Sequence, residues 1–210
     1  MKIALIGATG TIGQRILQEA LERGHQVTAI VRDPARLAIK HPNLQSVIGD
    51  IFNEESIAAA AAGHEAVISA YGPAHGQEQT LIDAVKSLVS GVQRAGVRRV
   101  LAVGGAGSLE VAPGVQLVDT PEFPSAWKSI ALAHRDALEV YRTCDLDWTC
   151  LCPAALIEPG EKTGKYRIGT DQLVVNENGE SRISAEDYAV AMIDELENPR
   201  FVRKRFTVGY

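Results

Sequence analysis

Aromatic residues are scarce, at 5% of the 210-residue chain, which weakens any role in stacking bases of a single-stranded nucleic acid. An excess of positive charge is also missing. Lys and Arg number 21 against 26 Asp and Glu, for a net charge of -5, so no global basic field recruits nucleic acid or an anionic membrane. No apolar run approaches the roughly 20 residues needed to span a bilayer. The first apolar run stops at Gly7, too early for the core of a signal peptide. Three cysteines, an odd number, give no disulfide framework, and the five histidines at 25, 41, 64, 75 and 134 make no metal motif. These absences point to a cytoplasmic protein in a reducing compartment, with no nucleic-acid or membrane partner. No linker, repeat or low-complexity segment divides the chain, so residues 1–210 read as one domain.

What is present is concentrated at the start. Lys2–Ile6 is a short apolar run fit for a buried strand, and Gly7-Ala8-Thr9-Gly10-Thr11-Ile12-Gly13 follows at once. Ile12, Ile16, Leu17, Ala20 and Leu21 then recur at helical spacing up to Gly24, where a helix stops. A glycine-rich turn between a buried strand and an amphipathic helix is a phosphate cradle. Gly7 allows the sharp turn, Gly10 leaves a pyrophosphate unobstructed, and Gly13 lets the helix pack closely. The free amides of the helix N-terminus would hold the charge. The spacing is G-x-x-G-x-x-G rather than G-x-G-x-x-G.

Strand and helix patterns alternate through the first half of the chain. Strands are expected at His25–Val31, Leu44–Ile48, Ala66–Ala70 and Arg99–Val103. Helices are expected at Ala35–Ile39, after an Asn53 N-cap, and at Gln77–Ala95. Beyond Ser108, Val111–Ser125 reads as a loop over the sheet edge, followed by a helix over Trp127–Arg142 and a strand over Trp148–Cys152. Glu158–Thr170 is turn-rich, and Val174–Val175 is a short strand. A helix starts at Ser184-x-x-Asp187 and runs to Glu197, and Phe206–Val208 is a last strand. The rhythm implies a doubly wound parallel α/β sheet with helices on both faces and a small C-terminal extension.

The opening GATGTIG, the VRDP after the second strand, VGGAGSL after the fifth and the stretch PGEKTGKYRIG resemble an atypical short-chain dehydrogenase/reductase. The chain is most similar to the NmrA-like NAD(P)-binding proteins, among them the NADH-flavin reductase group, and more distantly to biliverdin reductase B. The resemblance implies a Rossmann-like fold and an NAD(P)(H) site. Mapped onto this sequence, that site takes Gly7, Thr9, Gly10, Thr11, Ile12 and Gly13 from the first turn and Asp50 and Ile51 after the third strand. It also takes Ser69, Ala70, Tyr71 and Gly72 after the fourth strand and Pro153 after the sixth. At the end of the second strand, Arg32 suits a 2′-phosphate, while the neighbouring Asp33 would suit NAD if it faced the ribose instead. NADP(H) is favoured, with NAD(H) the alternative.

Ordinary members of the superfamily use a Tyr-x-x-x-Lys pair to protonate an alkoxide. Here the residues four after Tyr71, Tyr141, Tyr166 and Tyr188 are His75, Asp145, Thr170 and Met192. Two readings fit. The chain passes hydride to a flavin- or quinone-like acceptor that needs little acid catalysis, or it binds NAD(P) without turnover as a redox-sensing regulator. A scaffold that has lost its cofactor is a third reading, opposed by the intact glycines and Arg32. Ser108, Lys128 and His134 are the candidate side chains near the nicotinamide. Trp127 and Phe123 either stack a planar acceptor or anchor the Pro-rich loop. Cys150-x-Cys152 reads as a buried pair on one strand face.

Overall fold

The computed structural model describes residues 1–210. Its centre is an eight-stranded sheet. In chain order the strands of the molecule are β1 (Lys2–Ile6), β2 (Gln26–Val31), β3 (Leu44–Ile48), β4 (Ala66–Ser69), β5 (Arg99–Val103), β6 (Glu110–Ala112), β7 (Val115–Gln116), β8 (Asp147–Cys152), β9 (Leu156–Glu158), β10 (Arg167–Gly169), β11 (Arg182–Ser184) and β12 (Lys204–Gly209). The main sheet runs β10-β12-β8-β5-β4-β1-β2-β3, and every pairing is parallel except β10 with β12. Strand order reverses between β1 and β4, which puts a crevice at the carboxyl ends of both strands. This is a Rossmann-like sheet.

Five helices cover it: α1 (Thr11–Glu22), α2 (Glu54–Ala61), α3 (Thr80–Arg94), α4 (Ser125–Arg142) and α5 (Ala185–Glu197). The near-continuous apolar strands require cover on both faces. On one face α2, α3 and α4 bury Ile57, Leu88, Val92 and Leu138 against Ala4, Val67 and Val100. On the other, α1 and α5 bury Ile16, Leu17, Tyr188 and Met192 against Ile3, Leu5, Ile68 and Phe206.

Local chemistry sets the helix ends. Asn53 caps α2 by accepting hydrogen bonds from the amides of Glu55 and Ser56, both at 3.0 Å. The Ser184 hydroxyl accepts from the Asp187 amide at 3.0 Å and starts α5. Gly24, at φ +78°, follows the end of α1.

The structure corrects several sequence expectations. The segment after β2 makes only a 3-10 turn at Pro34–Arg36, because Pro34 starts it and nothing in Leu37–Ile39 continues it. Val111–Ser125 is not a bare loop: β6, which starts at Glu110, and β7 form an antiparallel pair at its beginning. The turn-rich stretch from Glu158 contains β10, and Val174–Val175 is not a strand; its place at the sheet edge is taken by β10. The C-terminal segment is no extension, since β12 lies inside the sheet, parallel to β8 and antiparallel to β10. No helix is long and apolar enough to cross a membrane.

Candidate functional site

The three glycines of the first turn meet different surroundings. Gly7 has φ +82°, and an added Cβ would lie 2.3 Å from the Ala70 carbonyl oxygen. Gly13 lies under the turn, and its Cβ would come within 2.0 Å of the Gly7 carbonyl oxygen. Internal packing therefore accounts for both. Gly10 is different: its Cβ would meet only that same oxygen, at an ordinary 3.4 Å. Gly10 is also the N-cap of α1 and offers no side chain to the first amides of the helix. Unsatisfied amides at a helix N-terminus, facing open space over a glycine, form an anion site.

Two cavities meet at this point. The first has a volume of about 610 Å³ and the second about 810 Å³, and they share Gly10, Ala70, Tyr71 and Gly72. Both open beyond the carboxyl ends of the parallel strands.

The first cavity is lined by Gly7, Thr9, Arg32, Asp33, Asp50 and Ile51 among others. Asp50 also stabilises its own turn: its carboxylate accepts from the Phe52 amide at 3.0 Å, and its amide donates to the Ser56 hydroxyl at 3.1 Å. Phe52 meets Tyr71 edge to face, with ring centres 5.8 Å apart. Asp33 uses Oδ1 to accept from the Ala35 amide at 3.0 Å, which ties its carboxylate to the 3-10 turn. That turn brings a residue the sequence reading missed, Arg36, into the same cavity as Arg32. Arg15, Arg23 and Arg94 are held in ion pairs, whereas Arg32 and Arg36 take part in none. The signal in the sequence was R-D-P-A-R, a proline-led turn with a cation at each end.

The second cavity is lined by Thr11, Ile12, Val103–Gly107, Phe123, Trp127, His134 and Pro153–Ile157. Helix α4 lies directly on the loop after β5. A Cβ on Gly105 would strike that of His134 at 2.7 Å, and one on Gly107 would strike that of Ala131 at 2.7 Å. Behind the loop, the Sγ atoms of Cys150 and Cys152 both sit against Gly104. Both cysteines are buried, and the Cys150 thiol is held well above its usual range by its hydrogen bond to Cys152 and by burial.

Burial lowers the pKa of His134 to about 4. Its imidazole is neutral near pH 7, able to donate or accept a hydrogen bond but not to act as a cation. No Lys or Arg lines this cavity, and its one carboxylate is Glu122. Trp127 is 65% exposed and so does not anchor the Pro-rich loop in the core.

Among the candidate side chains, the structure brings only His134 to the cavity. Ser108 is buried, and both its hydroxyl and its carbonyl accept from Arg205 Nη1 at 2.9 Å. Lys128 is exposed on α4, outside both cavities. Ser69 is buried at the end of β4 and lines neither cavity, and Gly13 lies beneath the turn.

Residues 7–199 match the family described as NAD(P)H-binding. The chain is 42% identical to the protein YwnB of Bacillus subtilis, over 99% of this chain and 98% of that one. A crystal structure from Burkholderia pseudomallei, described as a "putative exported protein", is 54% identical, with a TM-score of 0.92 and complete coverage of both chains. A Streptococcus pneumoniae structure described as a "putative NADH-flavin reductase" is 36% identical with a TM-score of 0.88, covering 100% of this chain and 99% of that one.

Proposed function

Since the chain belongs to the NAD(P)H-binding family, we propose that it is an NADPH-dependent reductase acting on a flavin- or quinone-like ring. The observation that supports this reading is the two-part cleft. A cationic cavity and an apolar cavity join at an uncapped helix N-terminus, in the order in which a dinucleotide carries adenosine, diphosphate and nicotinamide.

In this reading the amides at the start of α1 bind the diphosphate over Gly10, with Thr9, Thr11 and Ile12 around it. Arg32 and Arg36 bind the 2′-phosphate, because two guanidinium groups without an ion-pair partner are well shaped for it and one oxygen of Asp33 is tied to the 3-10 turn. Asp50 and Ile51 border the adenine. Ala70, Tyr71 and Gly72 line the passage between the cavities, and Pro153 stands at the nicotinamide end. NADPH, when bound, supplies the hydride and its electron pair.

The chain itself has three tasks at the apolar end. Trp127 and Phe123 stack the acceptor ring, and the apolar walls exclude water. His134 offers its neutral N–H to a ring carbonyl, a hydrogen bond that strengthens as charge develops there. The final proton comes from water, so no tyrosine–lysine pair is required. The free cysteines Cys144, Cys150 and Cys152 suit a reducing cytoplasm.

Titration of the purified protein with NADPH and NADH, followed by addition of menadione or riboflavin while the nicotinamide absorbance is recorded, tests the reading. Tighter binding of NADPH and loss of absorbance are expected. NADPH binding without turnover on any flavin or quinone would favour a redox sensor. Binding of neither nucleotide would end both readings.

A further inference from the structure

The two halves of the cleft differ in charge. The first cavity carries Arg32 and Arg36, and the N-terminus of α1 lies where the two halves meet. The second has no cation in its wall. Its ionisable side chains are Glu122 at the lip, the neutral His134 and Tyr71. The nearest cations on α4 do not change this. Lys128 is exposed and outside the cavity, and Arg135 is held by Asp136 at 3.4 Å and Asp119 at 4.0 Å. An anionic group reaching the second cavity would meet a carboxylate and find no cationic side chain, while an uncharged ring would find Phe123, Trp127 and Ile130.

We infer that the acceptor site selects uncharged rings, of which a quinone is the type, and rejects flavin nucleotides because of their phosphate. This rests on the proposed function and narrows it: the flavin ring fits, but FMN and FAD bring charge to a wall that repels it. The two anion sites in the cleft, the start of α1 and the Arg32–Arg36 pair, are already committed to the dinucleotide.

Riboflavin and FMN share a ring and differ by the phosphate, so the pair isolates this effect. Calorimetric titration of the NADP⁺-saturated protein should show menadione and riboflavin binding, and FMN binding roughly tenfold or more weakly than riboflavin at low salt. The gap should narrow in about 0.5 M salt, where screening is strong. It should also narrow in Glu122→Lys, a substitution at an exposed lip residue. FMN binding as tightly as riboflavin at low salt would overturn the selection rule while leaving the reductase reading intact. If neither ring nor menadione binds although NADP⁺ does, the acceptor reading fails and the rule with it.

Discussion

The Gly7 carbonyl oxygen occupies the space that a side chain at Gly13 would need, 2.0 Å from where its Cβ would be. Nothing comparable crowds Gly10, three residues on from Gly7: its Cβ would meet the same oxygen only at an ordinary 3.4 Å. The two glycines therefore separate structure from binding. Gly13→Ala should lower stability by about 1–3 kcal/mol or more through overpacking, read as a lower midpoint in urea. Gly10→Ala should cost less than about 1 kcal/mol of stability, yet weaken NADPH binding at least roughly tenfold by placing a methyl group over the diphosphate amides.

Arg32 and Arg36 should act as a pair on one phosphate. Arg32→Ala and Arg36→Ala should each weaken NADPH binding roughly tenfold or more, the scale of a lost charge-assisted hydrogen bond. NADH binding should be little changed. Equal losses for both nucleotides in a fluorescence titration would place the arginines elsewhere than on the 2′-phosphate.

His134 should make stability depend on pH. Its folded pKa, about 4, lies below the unfolded value of 6.5, so the unfolded chain binds the extra proton between those values. Stability is full above about pH 6.5 and falls as pH drops towards 4. The loss attributable to this group should reach about 2 kcal/mol by pH 5. Urea unfolding of the wild type and of His134→Gln at pH 7.5 and pH 5 measures it: the variant should lose less on acidification. Equal losses would mean that the imidazole is solvated.

Glu195 should be among the most sensitive positions away from the cleft. It is 3% exposed and accepts from Arg99 Nη2 at 2.9 Å and from the amides of Arg200 and Phe201. It fastens α5 to the edges of β5 and β8. Glu195→Ala leaves Arg99 buried without its partner and should cost about 3–5 kcal/mol. The double variant Arg99→Met/Glu195→Leu should recover part of that loss in thermal unfolding.

The fold was legible where local and global preferences agreed. The β1 strand, the glycine turn and α1 could be read in succession because each carries its own periodicity and punctuation. The ends of α2 and α5 followed from Asn53 and Ser184. Short strands were harder. β6, β7 and β10 are three residues or fewer, too short for an alternating pattern to show, and β10 pairs with β12, a partner distant in sequence.

The candidate site divided in the same way. The glycines and Arg32 carry a signal in their spacing. Arg36 reaches the cavity only because Pro34 bends the chain into a 3-10 turn, so its role depends on geometry. Ser108 sat in a promising motif, but Arg205, from the far end of the chain, takes its hydroxyl. Lys128 and His134 lie on one helix six residues apart, and the helix turns only the histidine inward.

The place of β12 bears on how the molecule is made. Residues 204–209 fill a slot between two strands synthesised long before them. Without that segment β8 would be a raw, apolar border and the hollow that Phe206 fills would stand vacant. A chain cut before residue 204 would therefore carry an adhesive flank, open to the border of a second copy.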